Sequence, residues 1–136
     1  MPGEIDTRKY LGIPFRHNGR SMDGVDCLGL MLMVLRDAGI DLPDDDGRPI
    51  DPRWYDIDPE RFIRGLEQYG RRIDVTELQP LDVVVFCFHE KPRHAGIMID
   101  RSRFIHIREH DYVSIARLKR YSRFFCAAYR MVGEKE

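Results

Sequence analysis

One cysteine and two histidines stand out by type and spacing. They are Cys27 in DCLGL at 26–30, His94 at the head of HAGIMID at 94–100, and His106 in FIHI at 104–107. A thiolate is a nucleophile, an imidazole beside it serves first as base and then as acid, and a second imidazole can accept a hydrogen bond from the first and fix its tautomer. The same residue types, Cys27, His94 and His106, also suit a three-ligand zinc site with an open position, although no compact ligand spacing such as HExxH is present. Alone, a cysteine beside Leu28 and Leu30 reads as a small core hydrophobe. The two histidines make it a candidate nucleophile.

Whether these residues can meet depends on the elements that carry them. Asp26 is a good N-cap and Gly39 a good C′ residue, and the apolar run between them predicts a helix of about three turns. Because that run is apolar nearly all round, the helix is expected at the centre of the core. Cys27 then falls in its first turn, where unpaired N–H groups and the positive end of the helix dipole favour a thiolate. Asp58 and Pro59 announce a second helix, with Phe62, Ile63, Leu66 and Tyr69 on one stripe and Gly70 at its end. After Gly70 the period shortens, and strands are predicted at 72–75, 81–88, 94–100, 104–108, 112–115 and 124–131. Short connections between them favour antiparallel hairpins, so the expected class is α+β, with an antiparallel sheet packed on the Cys27 helix.

Side chains alternate along a strand, so the length of the hairpin loop decides whether His94 and His106 share a face. An odd loop such as 100–102 puts both on one side; a two-residue loop puts them on opposite sides. With the odd loop, Ala95, Ile97, Ile99, Ile105 and Ile107 make an aliphatic face, and both imidazoles lie on the other.

The composition sets the limits. With 136 residues, 22 Lys+Arg, 23 Asp+Glu and 43% hydrophobic residues, the chain reads as one folded domain over 1–136. A net charge of -1 argues against a surface built to bind nucleic acid. The acidic stretch 37–60, with Asp41, Asp44, Asp45 and Asp46, and the basic stretch 101–130 read as solvated faces. Three cysteines without a CxxC pair suggest neither a disulfide framework nor a structural zinc site. Cys87 and Cys126, in apolar strands, read as buried and inert; His89 and His110 read as solvated loop residues, and His17 as a loop residue that lines a cleft. The longest apolar run, 28–35, is too short to cross a bilayer, and the charged N-terminus lacks the apolar region of a secretory signal. Synthesis in the cytoplasm without a signal peptide is therefore expected, with no membrane partner.

The motifs also carry a family resemblance. YLGIPFRHNGRSMDGVDCLGL at 10–30 resembles, without a gap, the first catalytic block of the NlpC-type cell-wall peptidases of the NlpC/p60 superfamily. LQPLDVVVF at 78–86 resembles the strand that leads to their catalytic histidine, and HAGI at 94–97 with FIH at 104–106 reproduces the histidine block and its spacing. The resemblance implies a papain-like α+β fold without cofactor or metal. It also implies hydrolysis of an amide bond in peptidoglycan stem peptides, commonly the bond after γ-D-glutamate. It puts the nucleophile at Cys27, the base at His94 and the third polar residue at His106, with Phe15, His17 and Asp26 in the substrate cleft. DCLGL followed by GIDLP at 39–43 is more similar to stand-alone members of phage tails and gene transfer agents than to secreted housekeeping members. Phage-tail or gene-transfer-agent proteins are therefore implied as partners, and delivery to the wall in a phage-like particle as the route.

Two positions depart from the family pattern. Phe15 stands where many members have a tyrosine hydroxyl near the oxyanion, and Leu28 replaces the usual serine. Oxyanion stabilisation is then expected to rest on backbone N–H groups, including that of Cys27, and losing one donor costs on the order of a hundredfold in rate or more. His17 stands where a tryptophan is frequent. The alternative implied by these departures is a catalytically weak or inactive structural or peptide-binding tail-assembly module of the same fold; acyl transfer through the same thioester is a third reading.

Overall fold

The computed structural model describes residues 5–17, 19–40, 42 and 60–132. The acidic cluster at 41 and 44–46 and the helix start at Asp58 and Pro59 lie outside the described residues. A two-residue hairpin, β1 (Arg20–Ser21) and β2 (Gly24–Val25), leads into helix α1 (Cys27–Asp37). Helix α2 (Glu60–Tyr69) follows, and then β3 (Gly70–Ile73), β4 (Val83–Phe88), β5 (Lys91–Met98), β6 (Arg103–His106), β7 (Ser114–Arg117), the single-turn helix α3 (Leu118–Tyr121) and β8 (Phe125–Met131). Strands β3 to β8 form one six-stranded sheet in the order β3-β8-β4-β5-β6-β7, antiparallel at every pairing, which gives the expected α+β class.

Helix α1 begins and ends as its sequence predicts. The Asp26 carboxylate accepts the Gly29 N–H at 2.7 Å, satisfying one of the donors that a helix start leaves open. At the other end Gly39 adopts a φ of +93°, and Gly39 and Ile40 donate to the carbonyls of Arg36 and Leu35 at 2.9 Å each. That is the Schellman closure, which a residue with a Cβ would strain.

The sheet has two differently furnished faces. On one, Val83, Val85, Ala95, Ile97, Ile105 and Tyr129 pack with Leu30, Met31, Val34 and Leu35 of α1. On the other, Val84, Phe86, Met98, Phe104 and Ala128 form a second cluster, joined by Tyr121, Phe124 and Phe125. The β4 and β8 strands are locked end to end by the buried Asp82, which accepts from Arg130 Nε at 3.0 Å, Arg130 Nη2 at 2.9 Å and the Gln79 N–H at 2.8 Å. A buried carboxylate with this bidentate partner and a backbone donor leaves little of its desolvation cost uncompensated.

Helix α2 ends at Tyr69, so Gly70 stands at its end as expected, and Gly70 also opens β3. An added Cβ there would stand 2.7 Å from Met131 Sδ and 2.9 Å from the Arg130 carbonyl, so the residue is small because β8 lies close. Val75, expected in a strand, is exposed in a 3-10 turn that Asp74 and Glu77 cap reciprocally. The strand expected at 112–115 lies instead at Ser114–Arg117, because Gly12 and Ile13 pair with Val113 before it. Cys87 and Cys126, expected buried, are half-buried, since they lie where β4 and β8 reach the margins of the core.

Candidate active site

The β5–β6 hairpin sets the histidines. Gly96 faces His106, Ile97 faces Ile105 and Met98 faces Phe104, and the Ile99 N–H continues the ladder to the Arg103 carbonyl at 2.9 Å. The connection is thus the odd loop 100–102, held by the Asp100 carboxylate, which accepts the N–H groups of Ser102 and Arg103 at 2.8 Å each. This register puts His94 and His106 on one face as diagonal neighbours. Their rings meet, His94 Nε2 to His106 Nδ1, at 2.7 Å.

Both imidazoles are buried, and the walls around them are aromatic. Phe86 stacks on His94 with centroids 6.0 Å apart, Phe104 meets His106 edge-on at 4.8 Å, and Tyr121 meets His106 edge-on at 5.6 Å. Gly96 makes this packing possible, because a Cβ at that position would stand 2.5 Å from the Phe104 ring. Tyr121 is the site residue that sequence reasoning missed. It sits on a one-turn helix among basic residues, where no apolar period signals it.

Burial removes water from the charged form of each ring. It pushes His94 down to about 3, and the neighbouring His106 and Arg108 add to the effect by disfavouring a further positive charge. It pushes His106 down to about 4, aided by Arg108 and opposed by Asp111. Both rings are therefore neutral at pH 7. Across the short contact one facing nitrogen holds the proton and the other accepts it, so the tautomer of one ring dictates that of its neighbour.

Cys27 is half-buried at the first position of α1, and α1 lies against β5, the strand of His94. A backbone ladder links its approach to the exit of β6. Phe15 donates to the Asp111 carbonyl at 3.0 Å, Val113 to Ile13 at 2.9 Å, Val25 to Pro14 at 3.0 Å and Arg16 to Val25 at 3.0 Å. The segment two residues before Cys27 is thereby tied to the one that leaves His106. Because β6 pairs with β5 only from Gly96 to Met98, the flank of β5 beside His94 carries no β6 partner.

The expected cleft residues fall on this same ladder. Half-buried Phe15 bridges Val25 and lies 6.4 Å from the exposed His110 ring, Asp26 caps α1, and half-buried His17 occupies the turn between Arg16 and Gly19. His89 and His110 are exposed, as expected. Among the described residues no group of three or more His, Cys, Asp or Glu side chains is arranged to hold a metal ion, and no helix is long and apolar enough to cross a membrane.

A cysteine at the start of a buried helix and a pair of imidazoles on the antiparallel sheet beside it stand in one α+β domain. The model of the NlpC/P60 family matches residues 12–130, and the chain belongs to that family. It is 29% identical over 101 residues to the probable endopeptidase NlpC of Escherichia coli strain K12, an alignment covering 73% of this chain and 55% of that protein. It is 28% identical over 96 residues to a probable endopeptidase of Mycobacterium tuberculosis, covering 71% of this chain and 20% of that protein. The chain thus spans about half the length, or less, of these curated relatives. Among solved structures, an NlpC/P60 family protein from Bacillus cereus superposes with a TM-score of 0.67 at 24% identity, covering 90% of this chain and 36% of that one. The NlpC/p60 domain of the peptidoglycan hydrolase SagA superposes with a TM-score of 0.65 at 20% identity, covering 92% of each chain. These likenesses establish the fold.

Proposed function

We propose that the protein is a cysteine peptidase that hydrolyses amide bonds in peptidoglycan stem peptides, with Cys27 as nucleophile, His94 as base and acid, and His106 as the residue that orients His94. The buried contact of 2.7 Å between the two imidazoles carries this reading. When Nε2–H of His94 donates to Nδ1 of His106, Nδ1 of His94 is left unprotonated. That nitrogen takes the thiol proton at the open flank of β5. The thiolate attacks the peptide carbonyl, and the N–H of Cys27, at the start of its helix, faces the developing oxyanion. The proton returns from His94 to the leaving nitrogen as the C–N bond breaks and a thioester forms. Water then attacks the thioester, His94 takes one of its protons, and the sulfur departs and regains a proton from the imidazolium.

Several observations support this scheme: membership of the family, relatives that are named probable endopeptidases, and a structural neighbour whose name is that of a peptidoglycan hydrolase. The bond after γ-D-glutamate is the proposed point of cleavage. The DCLGL and GIDLP segments keep delivery by a phage-tail-like particle within the proposal.

Digestion of purified peptidoglycan, with mass analysis of the released peptides, tests it. Release of stem-peptide fragments that stops in Cys27→Ala and in His94→Ala is the expected result. Equal release by parent and variants overturns the scheme. If no fragments appear and the Cys27 thiol reacts with an electrophile no faster than a free thiol in solution, the peptide-gripping module is the better reading.

A further inference from the structure

The imidazole pair lies on the face of the sheet that α1 does not cover, since α1 packs on Ala95, Ile97 and Ile105. Yet His94 is only 6% exposed and His106 only 4%. Strand neighbours account for the flanks: Phe86 of β4 stacks on His94, and Phe104 of β6 meets His106 edge-on. Side chains of one sheet stand side by side and cannot bury one another from above, so a further element must close that direction. Among the described residues, the aromatic ring from outside the sheet that reaches both imidazoles is Tyr121. Its centroid lies 5.6 Å from His106 and 6.5 Å from His94, and 5.3 Å and 5.4 Å from Phe86 and Phe104.

The local chain brings it there. Strand β7 ends at Arg117, the Leu118 N–H donates to the Ser102 carbonyl at 2.8 Å, and the Ser122 hydroxyl donates to the Lys119 carbonyl at 3.0 Å. Helix α3 is thus anchored on the 100–102 loop, the same loop whose length aligns the histidines. Leu118 and Tyr121, three positions apart, turn inward onto the second cluster, and Lys119 and Arg120 stay exposed.

We propose that Tyr121 is a positioning residue whose ring closes the water-facing side of the imidazole pair and so holds the contact between His94 Nε2 and His106 Nδ1 in one tautomer. Water admitted beside the pair would offer its own donors and acceptors to the facing nitrogens and would solvate the imidazolium form. That the cover serves hydrolysis rests on the peptidase reading; that it sets the protonation of the pair does not. The charges felt at the two rings, besides their own, come from Arg108 and Asp111 in the segment after β6. Helix α3 and the turn that follows add the exposed Lys119, Arg120 and Arg123, and β4 adds Phe86, Phe88 and the Cys87 thiol. A change at Tyr121 leaves every one of these groups in place, so a shift in titration reports the loss of the cover.

Nitrogen-15 resonances of the histidine rings, followed with pH in the full chain, test this apart from activity. In the parent protein each ring should show one tautomer and stay neutral well below pH 6. Tyr121→Phe keeps the ring and should behave as the parent. Tyr121→Ala should raise the titration of both imidazoles by on the order of one to two pH units and mix their tautomers. Tyr121→Leu, which keeps an apolar side chain on the second cluster and with it the fold, should raise them less, in the same direction. Titrations and tautomers in Tyr121→Ala and Tyr121→Leu that match the parent overturn the proposal, and so does a Tyr121→Phe protein that shifts as far as Tyr121→Ala. A ring that only stabilised the fold would lower the melting temperature and leave the titrations where they were. The acid limb of kcat/KM for a stem peptide should move upward together with the resonances. Hydrolysis by the parent without any shift in the variants keeps the peptidase and overturns the cover, whereas shifted resonances in a protein that cleaves no peptide keep the cover and overturn the peptidase.

Discussion

The two faces of the β5–β6 hairpin are made from alternate residues of the same strands, yet they do different work. On one, Ala95, Ile97, Ile105 and Ile107 disappear into the aliphatic core beneath α1. On the other, His94 and His106 sit among Phe86, Phe104 and Tyr121. Aliphatic burial is non-directional and stabilises in proportion to area, whereas an imidazole pair needs one angle and one tautomer. Placing them one residue apart lets the first fix the second, because every buried isoleucine holds the neighbouring histidine to its register.

Substitutions on the two faces should separate these roles. His94→Ala removes the group proposed to carry the proton, and peptide hydrolysis should fall on the order of ten-thousandfold while the protein stays folded; an activity assay beside a thermal melt shows whether the losses separate. Ile97→Ala, three residues along the same strand, should do the reverse. It opens a cavity under α1 and should cost about 2–5 kcal/mol of stability, read by denaturant unfolding, with the pH profile of the remaining activity unchanged. Gly96→Ala tests the seam between the faces. Its Cβ must displace the Phe104 ring, so it should cost about 1–3 kcal/mol and lower activity as well, where a purely structural glycine would affect stability alone.

Acid is expected to act through the histidine face. Both imidazoles are neutral and buried in the folded protein, at about 3 for His94 and about 4 for His106, while in the unfolded chain each takes a proton near pH 6.5. Below 6.5 the unfolded state therefore binds more protons than the folded one. Stability should fall with pH from about 6.5 down to about 4, and less steeply to about 3, on the order of 1 kcal/mol per pH unit for each ring still neutral. His106→Ala should flatten this slope in urea melts across pH 4 to 6.5 and, by removing the acceptor for His94, should reduce activity by about tenfold to a hundredfold. A slope that is unchanged would mean that other groups govern the acid limb.

Much of this was legible because it depends on local rules. Asp26 and Gly39 bracket α1 by capping, and the alternation rule says that an odd loop aligns the two histidines, although the choice of the odd loop 100–102 rests on the register of β5 and β6. What was not legible depends on neighbours distant in sequence. Gly70 reads as a helix stop, and it is one, but the close passage of Met131 and Arg130 that keeps it small is invisible in the sequence. Pro92 argues against a strand, yet β5 begins at Lys91, since Pro92 pairs with Cys87 beside an irregularity of the ladder, on the stretch that β6 does not reach. Tyr121 gains its meaning only when the single-turn helix α3 packs against β4 and β6, and no periodicity announces that.

The backbone ladder from Gly12 to Arg16 gives the protein a single point of failure. It supports the approach to Cys27 through Val25 and the exit from His106 through Asp111 and Val113. A local opening there would withdraw nucleophile and orienting residue in the same event. Partial loosening would then change the fraction of competent molecules and leave the rate of each competent one untouched, and the amide protons of Phe15, Val25 and Val113 would exchange with solvent as one cooperative unit.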